Sequence, residues 1–187
     1  MEELKHCGTI LVETNRLILK KIENADAEDM FLNFAYDDRV SRYMSWDSFK
    51  TVEDSIKWIN EWQDEYNKED VYYWGIYLKF SHKLIGTIYL LTESTVSKVG
   101  SLSYCLGFDY WGNGYVCEAA EAVIDFAFNK AGYNRVEAYH AKSNLQSARV
   151  LQKVGMKKEG TLRQRCKTHN GYEDCIYYSI LKSEFKS

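Results

Sequence analysis

Tyr110-Trp111-Gly112-Asn113-Gly114-Tyr115-Val116 lies between an apolar run that reads as a strand and an amphipathic stretch that reads as a helix. Two glycines one residue apart let the backbone approach whatever sits above the junction, because no Cβ stands in the way. The first N–H groups of the following helix lack carbonyl partners and sit at the positive end of its dipole, so such a junction can hold an anion. A plain strand-to-helix turn has the same need for glycine, and the glycines alone do not separate the two readings. No G-x-x-x-x-G-K-[ST] phosphate loop occurs. The dinucleotide pattern G-x-G-x-x-G is closer, with Gly112, Gly114 and, roughly 20 residues on, Glu137. However, Cys117 replaces the third glycine and only one crossover unit precedes the C-terminal strands, so this reading ranks low.

Working upstream, Val99–Gly107, Leu84–Thr92 and Tyr72–Phe80 read as three strands, the last two of them joined at Ser81-His82-Lys83. Before them, Thr51 and Asp54 form a capping arrangement for a helix with Val52, Ile56, Ile59, Trp62 and Tyr66 on one stripe. Asn24 reads as the cap of an earlier helix reaching about Phe34, and Arg16–Ile22 as a buried strand. Downstream, Gly114–Lys130 is expected to be a helix with Ala120, Val123, Ala127 and Ala131 on its inner face. Then come a strand at Arg135–Ala141, a short helix at Leu145–Val154 stopped by Gly155, and a hairpin turning at Asn170-Gly171. This order predicts an α/β fold with a mixed sheet, since hairpins must be antiparallel while helical crossovers favour parallel neighbours.

The 187 residues suit one domain, residues 1–187, with no proline, repeat or linker to mark a second. Lysine and arginine number 24 against 27 acidic residues, a balance that argues against nucleic-acid binding. Five cysteines, an odd number without a C-x-x-C pair, give no expectation of a disulfide framework or of a metal site. No apolar run nears the roughly 18 residues of a membrane span, and the N-terminus lacks a leader pattern, so no membrane role and a cytoplasmic location are expected.

Some thirty residues past the glycine loop, Asn144-Leu145-Gln146-Ser147 opens the short helix, which runs on to Lys153-Val154-Gly155-Met156. Gly112-x-Gly114-Tyr115 with Glu118-Ala119, then Asn144-x-x-Ser147 and Lys153-x-Gly155-Met156, resembles the two cofactor motifs of GNAT acetyltransferases. The likeness extends from Glu13–Leu19 to Glu159–Arg163 and the final hairpin, and is strongest to the ribosomal-protein alanine N-acetyltransferase branch. It implies a mostly antiparallel central sheet flanked by helices, with a splayed strand pair holding acetyl-CoA, and no metal. It also implies that the amides of Gly112, Asn113, Gly114, Tyr115 and Val116 bind the pyrophosphate. Cys105 and Leu106 would pair with the pantetheine arm as an added strand does, one of their N–H groups polarising the thioester carbonyl. Asn144 would bond the pantetheine, Ser147 would lie near the sulfur, and Lys153 would complete the cofactor contacts. Asn144 and Ser147 are also good capping residues, the reading that spacing alone favours.

Two positions depart from the family pattern. Asp109 stands where Gln or Arg usually begins the loop, and an ionised carboxylate cannot donate to a phosphate. Leu151 stands where many members carry a tyrosine general acid, so Ser147 or a water must protonate the departing thiolate. The expected reaction is direct attack of an amine on the thioester, with His140, Glu93 or water relaying the amine's proton, although a packed structural histidine is the commoner role for a residue like His140. Cys105 and Cys117 flank the loop without a histidine pattern and read as structural thiols. An α-amine, with a pKa of about 8 against about 10.4 for lysine, is the easier acceptor. A peptide or protein N-terminus is therefore preferred to a polyamine or aminoglycoside, and a CoA-binding module without turnover is the rival from another class. Tyr43 to Trp74 is rich in aromatics and acids, which reads either as a cleft for a cationic amine or as an ordinary core stripe and solvated helix face. A homodimer is compatible with the sequence.

Overall fold

The computed structural model describes residues 3–169 and 171–186. The strands are β1 (Val12–Glu13), β2 (Leu17–Lys20), β3 (Tyr72–Leu78), β4 (Leu84–Ser94), β5 (Val99–Leu106), β6 (Arg135–Ala141), β7 (Lys157–Thr168) and β8 (Gly171–Leu181). They form one sheet in the order β1-β2-β3-β4-β5-β6-β8-β7, antiparallel throughout except where β5 meets β6. That parallel pair is joined by α4 (Tyr115–Asp125), whose last turns, Phe126–Ala131, widen to π-helical spacing. The remaining helices are α1 (Ala27–Met30, continued by Phe31–Ala35), α2 (Asp38–Ser41), α3 (Val52–Glu65) and α5 (Leu145–Lys153).

Strand alternation divides the core between the two faces. On one face, Tyr72, Trp74 and Ile76 of β3 meet Ala119, Ala120, Val123 and Ala127, all fully buried. The alanines let α4 lie close on the sheet, and the Trp74 indole finds its acceptor in the Ile10 carbonyl at 2.7 Å. On the other face, Met30, Phe34, Ile59 and Trp62 pack against Tyr77, Leu84 and Cys105.

Most of the expected elements form, with informative shifts. Asn24 is not a cap: Glu23 caps a short 3-10 turn, Asn24–Asp26, in which the Asp26 carboxylate takes the Glu23 N–H at 2.8 Å. Thr51 caps α3 as expected, with Asp54 accepting the Thr51 N–H at 3.1 Å. The expected hairpin turn at Asn170-Gly171 falls partly outside the described residues, but β7 and β8 pair across it.

Cys166 and Cys175 are joined as a disulfide, against the sequence expectation. The hairpin folds residues nine apart in sequence to a Cα separation of 5.3 Å, which the cysteine count alone could not reveal. β7 forms one edge of the sheet, and its Lys158, Arg163, Arg165 and Lys167 are exposed. Among the described residues no helix is long and apolar enough to cross a membrane, and no cluster of three potential ligands could hold a metal ion.

Candidate active site

β5 and β6 pair only over Val99–Ser101 and Arg135–Glu137, then part. The parting opens a cleft of about 1080 Å³, with β5 on one wall, β6 on the other, and the glycine loop and α5 above it. Gly107 N–H donates to the Ile85 carbonyl of β4 at 2.8 Å. Backbone groups alternate edges along a strand, so those of Cys105 also face β4, while those of Tyr104 and Leu106 face the gap. Of the two residues expected to pair with a pantetheine arm, Leu106 therefore offers its backbone and Cys105 does not. The Leu106 carbonyl is taken by the Trp111 indole at 2.7 Å, leaving its N–H as the group turned to the opening.

In the loop both glycines are left-handed, Gly112 at φ +80° and Gly114 at +78°, and Gly114 caps α4. A Cβ added at Gly112 would meet nothing within 4 Å, so the loop leaves open space of the kind a pyrophosphate needs. The N–H groups of Tyr115 and Val116, at the start of α4, have no helical carbonyl to bond and line the cleft with Gly112 and Gly114. Asn113 behaves differently: its side chain folds back onto the Tyr110 and Trp111 carbonyls at 3.1 and 3.2 Å, and it is not part of the cleft wall.

An ion pair absent from the sequence reading braces this loop. Arg16 Nε donates to Glu118 at 2.6 Å, its Nη1 to the Asn113 carbonyl at 3.0 Å, and its guanidinium lies 4.6 Å from the Tyr115 ring centre. Burial works against the Glu118 charge, but the hydrogen bonds from Thr14 and Arg16 outweigh it and hold the carboxyl below its ordinary pKa.

At the mouth of α5, Asn144 caps the helix by accepting the Ser147 N–H at 3.2 Å, the role its spacing favoured. Ser147 Oγ lies 2.8 Å from the Tyr104 hydroxyl of β5. His140 is buried; its Nδ1 is 2.8 Å from the Ala141 carbonyl, and its Nε2 has no partner among the described residues. Since a carbonyl only accepts, Nδ1 carries the hydrogen of this contact, and Nε2 is the nitrogen left without a partner. Asn144, Ser147, His140 and the exposed Lys153 all line the same cleft, whereas Leu151 is wholly buried in the core and Asp109 stays outside.

The family described as Acetyltransferase (GNAT) domain matches residues 16–157. Over 172 residues the chain is 32% identical to the uncharacterized N-acetyltransferase YoaA of Bacillus subtilis (strain 168), covering 92% of this chain and 97% of that one. The chain belongs to the GNAT acetyltransferase family. It is accordingly an acetyl-CoA-dependent acyltransferase. A GNAT-family acetyltransferase structure from Bacillus anthracis superposes with a TM-score of 0.81 at 25% identity, covering 94% of this chain and all of that one. The ribosomal-protein-S5-alanine acetyltransferase of Vibrio fischeri shares the fold, with a TM-score of 0.80 at 23% identity over 95% and 100% of the two chains.

Of the two readings of the Tyr43–Trp74 acids, the solvated helix face holds for those of α3. Of the acids between Tyr43 and Trp74 only Asp47 reaches the cleft, 3.2 Å from His169; Glu53, Asp54, Glu61, Asp64 and Glu65 lie on α3 away from it. Arg165 and Lys167 of β7 line it instead, facing Trp46, Trp58 and Tyr89 among the aromatics. The two cysteines near the loop are poor nucleophiles. Burial pushes both thiols up in pKa, the Thr87 contact at 3.2 Å offsetting only part of this at Cys105 and the Lys153 charge only part at Cys117. The double variant C105A/C117A is expected to keep turnover within about tenfold of the parent. Mass spectrometry trapping an acetyl group on either cysteine in the parent would contradict this.

Proposed function

We propose that this chain, acting as one domain, transfers the acetyl group of acetyl-CoA to the α-amine of a peptide or protein N-terminus by direct attack with both substrates bound. The observation that carries the reading is the parting of β5 from β6 with an amide (Leu106), a hydroxyl (Ser147) and the buried His140 among the residues lining one cleft. Acetyl-CoA supplies the activated thioester. The N–H groups of Gly112, Gly114, Tyr115 and Val116 hold the diphosphate, and the exposed Lys153 adds a cation at the rim. Leu106 N–H polarises the carbonyl under attack, His140 Nε2 accepts the amine's proton through water, and Ser147 hydrogen-bonds the departing sulfur. Holding the two reactants side by side supplies much of the acceleration.

A peptide N-terminus is favoured over a polyamine or aminoglycoside by the charge of the wall. Arg165 and Lys167 oppose a ligand carrying several positive charges, whereas one α-amine is released as a neutral nucleophile near pH 8. In an acceptor panel read by mass shift and thiol release, unblocked peptides should react with kcat/KM at least about tenfold above spermidine or an aminoglycoside, a difference of the size expected from like-charge repulsion near a protein surface. N-acetylated peptides with internal lysines should be inert. Preference for the polyamine would overturn the acceptor class. Stabilisation by acetyl-CoA with no acceptor modified would favour a binding module.

A further inference from the structure

The short helix carries no phenol toward the cleft, because Leu151, seven residues after Asn144, is fully buried among apolar side chains. A phenol reaches the site from the neighbouring strand. Tyr104 stands on β5 beyond the point where β5 leaves β6, lines the cleft, and places its hydroxyl 2.8 Å from Ser147 Oγ and 3.5 Å from the Ser147 carbonyl. Both acceptors within its reach belong to one residue.

Either hydroxyl can donate across the 2.8 Å contact; taking Tyr104 as the donor gives its hydrogen the shorter of its two acceptors. Were Ser147 to donate to the phenol, the Tyr104 hydrogen would be left with a carbonyl at 3.5 Å, at the limit of a useful hydrogen bond. Donation by Tyr104 to Ser147 Oγ makes the short bond and leaves the serine hydrogen unspent. No other partner for Ser147 Oγ is found among the described residues, so that hydrogen is free to point into the cleft.

We propose that Tyr104 is a positioning residue for acetyl transfer, its hydroxyl fixing Ser147 so that the serine O–H is aimed at the departing sulfur. The inference rests on the reading of Ser147 given above. Tyr104 does not act as the acid. Burial drives its pKa upward and the Ser147 bond offsets only part of the rise, so the phenol stays protonated. Its proton remains on oxygen throughout; what it contributes is orientation, and a polarised Ser147 hydroxyl that is a better donor to developing negative charge.

The test is a double-mutant cycle with acetyl-CoA and an unblocked peptide. Y104F should lower kcat about tenfold, the scale of one hydrogen bond, with KM for acetyl-CoA and the melting temperature little changed. S147A should lower kcat by at least as much, and Y104F/S147A should be no slower than S147A, since the phenol has nothing left to orient. The pH dependence of kcat should keep its shape in Y104F, because a group that never ionises is being removed. A Y104F enzyme with parental kcat, or losses that multiply in the double variant, would overturn the proposal. A joint fall in melting temperature and acetyl-CoA affinity without a kcat effect would reduce Tyr104 to a packing role and overturn it too. Full turnover in S147A would refute the Ser147 role itself, whereas a parent protein that acetylates no amine would refute the broader reading.

Discussion

Gly114→Val is expected to weaken acetyl-CoA binding about 100-fold while leaving the protein folded. Gly114 sits at φ +78° as the cap of α4, and a β-branched residue held there carries about 1–3 kcal/mol of backbone strain. Crowding is not the cause, since an added Cβ would lie 3.6 Å from an Arg16 nitrogen, an ordinary contact. The strain is relieved by turning the Asn113–Gly114 peptide out of its left-handed setting. That movement disperses the N–H groups that converge at the start of α4, and binding bears the loss. Gly160→Val is the control, because Gly160 has open space around it and no left-handed requirement. Titration calorimetry should separate the two variants. Parental affinity in Gly114→Val would remove the loop from the binding site.

His140→Gln should lower kcat about 100-fold, the lower end of what a positioned proton acceptor contributes, with acetyl-CoA affinity unchanged. A buried imidazole nitrogen left without a partner costs about 1–3 kcal/mol, and His140 Nε2 is such an atom. A histidine present only for packing, against the Tyr178 ring 5.6 Å away, would gain by being satisfied within the fold. Nδ1 is so satisfied, by the Ala141 carbonyl, which leaves Nε2 as the nitrogen without a partner among the described residues. Single-turnover acetylation of a peptide, compared with melting curves, tells the roles apart. A variant that loses stability but retains kcat would make His140 a core residue.

Features governed by local periodicity and by glycine were legible before any coordinates. β3 to β5, α4, β6 and α5 all carry their pattern in consecutive residues, and glycine marks the junctions at Gly112, Gly114 and Gly155, which the structure sets in the left-handed region. Contacts between residues distant in sequence were not legible. Arg16 and Glu118 are about a hundred residues apart, and neither announces the other. Tyr104 read as one more apolar strand residue because its role depends on Ser147, 43 positions away. The Cys166–Cys175 pair required the hairpin register. β1, with two residues, and α2, with four, are too short to show a period.

The edge formed by β7 also bears on how copies of this chain can meet. A second molecule adding its own β7 alongside would bring Lys158, Arg163, Arg165 and Lys167 opposite the same four cations, a repulsion that guards the unpaired strand against sheet-to-sheet polymerisation. The opposite end of the sheet offers only the two residues of β1. Lateral fusion through backbone ladders is thus discouraged at both margins of the sheet.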